Sequence, residues 1–222
     1  MRKFVPAYEG NLRKHALSVP RCISECSGIR VFGRRIKSRV FSTDVAIIKN
    51  INADAIIAVY PFTPQPAITQ AIIGVSEVPV FCGVGGGLTN GVRSASMAAY
   101  VEHQGAYGVV CNSKIGVETI HAIKDAVEIP VVYTVISENT DIQPYLTAGV
   151  DIINVSGAAR TPEIVGTLRQ RYPELPIIAT GGPTEESILA TIRAGANAIT
   201  YTPPSSASLF ARTMADNRSE LE

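Results

Sequence analysis

The chain has 222 residues, 46% of them hydrophobic and 18% charged, which is ample apolar surface for one large core and far from the composition of a disordered chain. A formal net charge of +1 removes the broad electrostatic attraction on which nucleic-acid binders depend. No stretch approaches the ~20 apolar residues of a membrane span, so the expected partner is a small molecule, with no nucleic acid and no membrane.

The amino terminus, MRKFVPAYEG, carries charges and a proline where a signal peptide needs an apolar run, and a cytoplasmic protein is expected. Residues 1–28 read as an extension in which 19–27 forms a helix capping the bottom of the domain. Residues 29–32 are expected to pair in a hairpin with the first strand, and 29–222 carry a repeat. Runs rich in β-branched residues at 36–41, 55–60, 78–82, 107–111, 130–136, 151–155, 176–180 and 198–202 alternate with segments of helical spacing such as 91–104, 115–127 and 185–194. The strand runs (IIAVY, VPVF, IPVVYTVI, DIINV, LPIIAT) are continuously apolar, as strands buried on both faces are. Gly105, Gly149 and Gly195 stop helices, while Pro79, Pro130 and Pro176 open strands. Eight such units in series predict an α/β fold, a single (β/α)8 TIM barrel with a short N-terminal extension, an open doubly wound sheet being the alternative.

In a barrel the chemistry belongs to the loops that follow the strands. After the first strand stands Asp44, which serves either as an acid or base or as a helix cap. The third loop, 83–90, holds Gly83, Gly85, Gly86 and Gly87, a loop able to wrap an anionic group through Gly85 and Gly86 or simply to move. Asn112 and Lys114 follow the fourth strand and Glu138 the fifth, and these three are the candidates to face reacting carbons. Around the sixth strand, Asn154, Ser156 and Arg160 could orient a substrate, Arg160 by pairing with a carboxylate or a second phosphate.

The seventh loop is the most informative. Gly181 and Gly182 let backbone amides approach an anion, Thr184 can cap the next helix, and Thr202, Ser205 and Ser206 after the eighth strand supply hydroxyls at the same rim. Cys22, Cys26, Cys82 and Cys111 show no zinc-type spacing and read as free thiols, Cys82 as a packed residue rather than a nucleophile. His15, His103 and His121 are scattered, so no metal set assembles and no cofactor is expected; Mg²⁺ held by a substrate phosphate and one carboxylate leaves almost no sequence trace and stays open.

The stretch 177–199, IIATGGPTEESILATIRAGANAI, resembles the closing half of phosphate-binding barrels: the ribulose-phosphate-binding group, thiamine phosphate synthase, the keto-deoxy-phosphogluconate aldolases and inosine monophosphate dehydrogenase. The shared pattern is a strand, paired glycines, a helix and an Ala-Gly-Ala-Asp-like step, here Ala194-Gly195-Ala196-Asn197. The resemblance implies a phosphate grip. It departs from the aldolases, because no predicted strand ends in a Schiff-base lysine, and from the dehydrogenase, because the glycine-rich loop follows the third strand. An enzyme acting on a small phosphorylated metabolite, of lyase or isomerase type, is the first expectation. A non-catalytic sensor of such a ligand is the second, and a hydrolase with Glu138 or Asp44 activating water the third. Apolar residues on the outer helices (Met97, Ala98, Ala99, Tyr100) admit a homo-oligomer.

Overall fold

The computed structural model describes residues 4, 6–8 and 17–219; His15 lies outside them. A hairpin of β1 (Ile29–Val31) and β2 (Arg34–Ile36) precedes the repeat, which runs β3 (Ser38–Phe41), α1 (Val45–Asn50), β4 (Ala55–Ala58), α2 (Pro66–Val75), β5 (Val80–Gly85), α3 (Val92–His103), β6 (Gly108–Cys111) and α4 (Val117–Ala126). It continues with β7 (Val131–Val135), α5 (Gln143–Thr147), β8 (Ile152–Val155), α6 (Thr161–Arg171), β9 (Ile177–Thr180), α7 (Glu185–Arg193), β10 (Ala198–Tyr201) and α8 (Ser206–Ser219). Strands β3 to β10 are all parallel, and β10 pairs with β3 through Ile199↔Ser38 to close the barrel. Closure settles the choice between barrel and open sheet.

The outward faces of the strands and the inward stripes of the helices form one core, with Val40, Ile56, Cys82, Val109, Val131, Ile153 and Ile199 meeting Ile48, Ile72, Val101, Ile120 and Ile164. Met97 and Ala98 are buried in it and Ala99 and Tyr100 half-buried, so these residues need no second subunit to cover them. Inside the barrel a second cluster gathers Ile57, Phe81, Val110, Val132, Ile152, Ile178 and Ala198, together with Ile29, Val31 and Ile36 from the hairpin.

The bottom of the barrel is therefore closed by the hairpin, not by a helix. Segment 19–27 holds only a 3₁₀ turn, Arg21–Glu25, whose Ile23 enters the outer core beside α7. The hairpin joins Arg34–Ile36, not the first barrel strand, because Phe32 and Gly33 both take positive φ and turn the chain back within two residues. Lys37 and Ser38 then direct their amides to the Asp54 carboxylate, each at 2.9 Å, which ends the hairpin and starts β3.

The same device recurs below the strands. Asp151 accepts from the Val131 amide at 2.8 Å, and Asn197 accepts from the Ile177 amide at 2.9 Å and from Arg169 Nη2 at 2.8 Å. Each side chain stands at the foot of one strand and ties down the first amide of a neighbour. The Ala-Gly-Ala-Asn step, which leads into the last strand, thus stands on the stability face of the barrel.

Candidate functional site

Side chains on a strand alternate between faces, so the interior residue two positions beyond each apolar one forms the next tier up. Ile57, Phe81, Val110, Val132, Ile152, Ile178 and Ala198 make the lower tier; the residues two further on are Val59, Gly83, Asn112, Thr134, Asn154, Thr180 and Thr200. That tier, with Gly85, Ile136, Ser156 and Thr202 above it, lines a cavity of about 630 Å³ at the carboxyl ends of the strands. Phe41, Tyr60, Phe62 and Leu88 give it an apolar side. Where the strands stop being apolar, the barrel stops being filled.

One side chain beneath this floor escaped the sequence reading. Arg39 on β3 is fully buried, donates from Nη2 to Asn154 Oδ1 at 2.6 Å and to Thr200 Oγ1 at 3.0 Å, and donates from Nε to Thr200 Oγ1 at 3.2 Å. The Phe81 ring lies 5.6 Å from its guanidinium carbon. A charged residue within a strand expected to be buried on both faces was the available signal, but it lies in mid-strand, and candidate residues were sought in the loops.

The expected site residues divide. Asn112, Asn154, Ser156, Thr202 and Gly85 line the cavity. Gly86 lies beneath its wall at φ +97°, where an added Cβ would meet the Asn112 backbone at 2.8 Å, so glycine is needed there for close approach of two loops. Glu138 and Arg160 bridge the loops after β7 and β8 through Oε1 and Nη1 at 2.7 Å, leaving Glu138 Oε2 buried with no hydrogen-bond partner among the described residues. Lys114 is exposed and outside the cavity lining.

At the seventh and eighth loops, β9 and β10 are neighbours, so their turns share one rim. The Gly181 amide is already directed to the Thr200 carbonyl at 3.3 Å, and Gly182 turns at φ +81°. Ser205 Oγ accepts from the Ser208 amide at 3.2 Å as a helix cap. Ser206 donates its amide to Asp44 Oδ2 at 3.3 Å, so the α8 end already holds a carboxylate of this chain. Asp44 also caps α1 through the Ala46 and Ile47 amides. These bonds, the Ser206 side chain first, hold its carboxyl below the usual value. Burial pushes the Cys82 and Cys111 thiols up to about 12, which fits packed residues rather than nucleophiles.

No protein-family model and no curated protein sequence matches the chain. Solved structures do. A phosphonopyruvate hydrolase in complex with oxalate and Mg++ aligns with TM-score 0.64 and 16% identity over 88% of this chain and 83% of its own. A phosphoenolpyruvate phosphomutase from Streptomyces platensis subsp. rosaceus aligns with TM-score 0.62 and 15% identity over 82% and 80%. A mandelate oxidase aligns with TM-score 0.63 and 14% identity over 80% and 68%. Likeness at this identity shows the barrel fold, and it does not single out the phosphate-binding groups that 177–199 resembles.

The hydrolase carries Mg++, yet the donors of the present cavity do not suit that ion. No carboxylate lines the cavity, and no group of three or more His, Cys, Asp or Glu side chains assembles among the described residues. Asp44 and Glu138, the acids flagged in the sequence, are engaged with Ser206 and Arg160. Hard divalent cations take oxygen sets rich in carboxylate; hydroxyls and amides above a guanidinium suit an anion instead.

Proposed function

We propose that this chain acts on a small phosphorylated metabolite, bound in the cavity at the carboxyl ends of the strands, in a lyase or isomerase reaction. The observation that carries this reading is the lining itself: hydroxyls and amides from Asn112, Thr134, Asn154, Ser156, Thr180, Thr200 and Thr202, with no carboxylate among them to repel an anion. The Gly182 turn and the Thr202 and Ser205 hydroxyls offer donors at the rim where barrels hold phosphate. Ser206 contributes less, since Asp44 holds it, and Lys114 would have to swing inward to reach a substrate.

Glu138 is the acid or base of this proposal. Its Oε2 is buried and unpartnered among the described residues, and because Glu138 stands outside the cavity lining, the loop after β7 would have to move for it to reach a substrate. Arg160, on Oε1, fixes its direction. Asn112 would orient the reacting carbons by hydrogen bonding.

A second reading, a non-catalytic sensor, is favoured by one observation: among the described residues, Tyr60 is the only ionisable side chain lining the cavity. A thermal-shift screen of phosphorylated metabolites, followed by Glu138→Gln, separates the two. A ligand at a hundred times its Kd raises stability by about 2.7 kcal/mol. The catalytic reading expects Glu138→Gln to keep that shift and lose turnover at least a hundredfold; unchanged turnover removes Glu138 from the mechanism, and a melting point unmoved by every phosphorylated compound removes the ligand class.

A further inference from the structure

The cation beneath the cavity floor has no counter-charge among the described residues. Arg39 is 0% exposed, and all three of its hydrogen bonds go to neutral oxygens on Asn154 and Thr200. Nη1 is buried with no hydrogen-bond partner among the described residues, and none of the four ion pairs there includes this side chain. Burial pulls the guanidinium pKa down to about 9 with no carboxylate opposing it, and the group still carries its charge at neutral pH. A cation removed from water and left unpaired is strongly destabilising, so a barrel that keeps one is incomplete until a negative group arrives.

Arg39 also sets the polarity of everything above it. A guanidinium donates and never accepts. Asn154 must therefore turn Oδ1 toward Nη2, which leaves its Nδ2 to donate to Thr134 Oγ1, at 3.3 Å, and toward the cavity. Thr200 Oγ1 accepts from both Nε and Nη2, so what Thr200 has left to offer is its own O–H. Both Asn154 and Thr200 line the cavity. The donor-only side chain below makes the tier above present protons.

We infer that the floor of the cavity over Arg39 is an oxyanion subsite, in which a carboxylate or phosphate oxygen of the ligand accepts from Asn154 and Thr200 and supplies the counter-charge that Arg39 lacks. This rests on the reading of the cavity as a site for a small anion, and it adds a contact on the barrel floor to the donors at the turns after β9 and β10. Arg39 is a positioning residue: it acts through the two side chains it orients and through its field, which the low-dielectric interior screens weakly.

The test titrates the full chain with inorganic phosphate and, separately, with acetate, against chloride at matched ionic strength, and reads the melting temperature. The wild type is expected to show a saturable rise with at least one of the two ions, and which one it is tells a phosphate ligand from a carboxylate. Arg39→Met removes the unpaired charge at similar volume. It is expected to melt no lower than the wild type without anion and to lose the saturable rise, its apparent Kd increasing at least tenfold. Thr200→Val keeps both charge and shape, is expected to weaken the response tenfold as well, and decides the matter if Arg39→Met does not fold. A merely structural arginine gives the opposite pattern: a lower melting point in Arg39→Met and an anion response unchanged in both variants. A wild type that responds to neither ion also overturns the inference. Phosphorylated metabolites that bind wild type and Thr200→Val equally would overturn it while leaving the proposed function standing.

Discussion

The lower and upper tiers of the barrel are built from the same seven strands, two residues apart, and they differ in almost every property. The lower tier is apolar, closed by the hairpin residues Ile29, Val31 and Ile36, and filled around Phe81. Its neighbour above is hydroxyl and amide, open to a cavity, and underlain by an unpaired guanidinium. A packed tier gains from burial and dispersion, whereas a polar one gains little until a ligand completes its hydrogen bonds. Stability should therefore respond to changes below and binding to changes above, and each of the following substitutions probes that division.

Phe81→Ala should have the largest effect on stability. Phe81 is fully buried and packs against Gly108, where an added Cβ would meet its ring at 2.6 Å, so the lower tier is fitted around it. A loss of about 3–5 kcal/mol in urea unfolding is expected. A loss below about 1 kcal/mol would mean that the lower tier is not the core it looks to be.

Asn197→Ala comes next, at about 1–3 kcal/mol, because it leaves the Ile177 amide without its acceptor and removes one of the two acceptors of Arg169 Nη2, the Gly195 carbonyl remaining. Ligand binding should be unchanged. A variant of normal stability that binds its ligand poorly would give the Ala-Gly-Ala-Asn step a part in binding.

Asp44→Ala should cost about 1 kcal/mol, through the lost cap on α1 and the lost tie to Ser206. The pH dependence has a definite sign. The carboxyl pKa is lowered in the folded chain, so the unfolded chain binds the proton more readily, and the contribution is fully present above about pH 4 and lost as pH falls through the lowered value. Urea unfolding of wild type and variant should therefore converge at acid pH. A gap of constant size would show that the carboxylate charge is not what holds the two helix ends.

The division between tiers also decides how much was legible in the sequence. Eight apolar runs with helices between them gave the barrel, because strands buried on both faces have a composition of their own. Some strands were expected one or two residues too long, as at 55–60 against Ala55–Ala58, since apolar character outlasts the hydrogen-bond ladder, whereas 78–82 stops short of β5, which continues through glycines to Gly85. The bottom closure was misread because segment 19–27 is apolar enough for a short helix, while the alternation of Ile29, Val31 and Ile36 acquires meaning only when the barrel mouth is there to receive it.

The site was legible in part. Asn154 stands at a barrel-facing position of a recognisable strand, and Asn112, Ser156 and Thr202 just past strand ends. Thr134, Thr180 and Thr200 were passed over because a threonine at a strand end is ordinary β composition; they become a group only around a closed barrel. Arg39 stands in mid-strand beside Lys37 and Ser38, in a run whose polar residues do not by themselves tell a barrel-facing arginine from a surface one. The Ser206 hydroxyl was read as an open donor because nothing in the sequence brings Asp44, 162 residues earlier, to Ser206.

The central claim is that an anion sits on the upper tier, above Arg39. Methyl NMR of the threonines during titration with the bound metabolite, or with inorganic phosphate, tests it most directly. The account predicts that the Thr134, Thr180, Thr200 and Thr202 methyls shift together with one saturation constant, while Thr69, Thr119, Thr161 and Thr191, buried outside the cavity lining, stay still. Shifts confined to Thr184 and the turn after β9, with Thr134 and Thr200 unmoved, would contradict it.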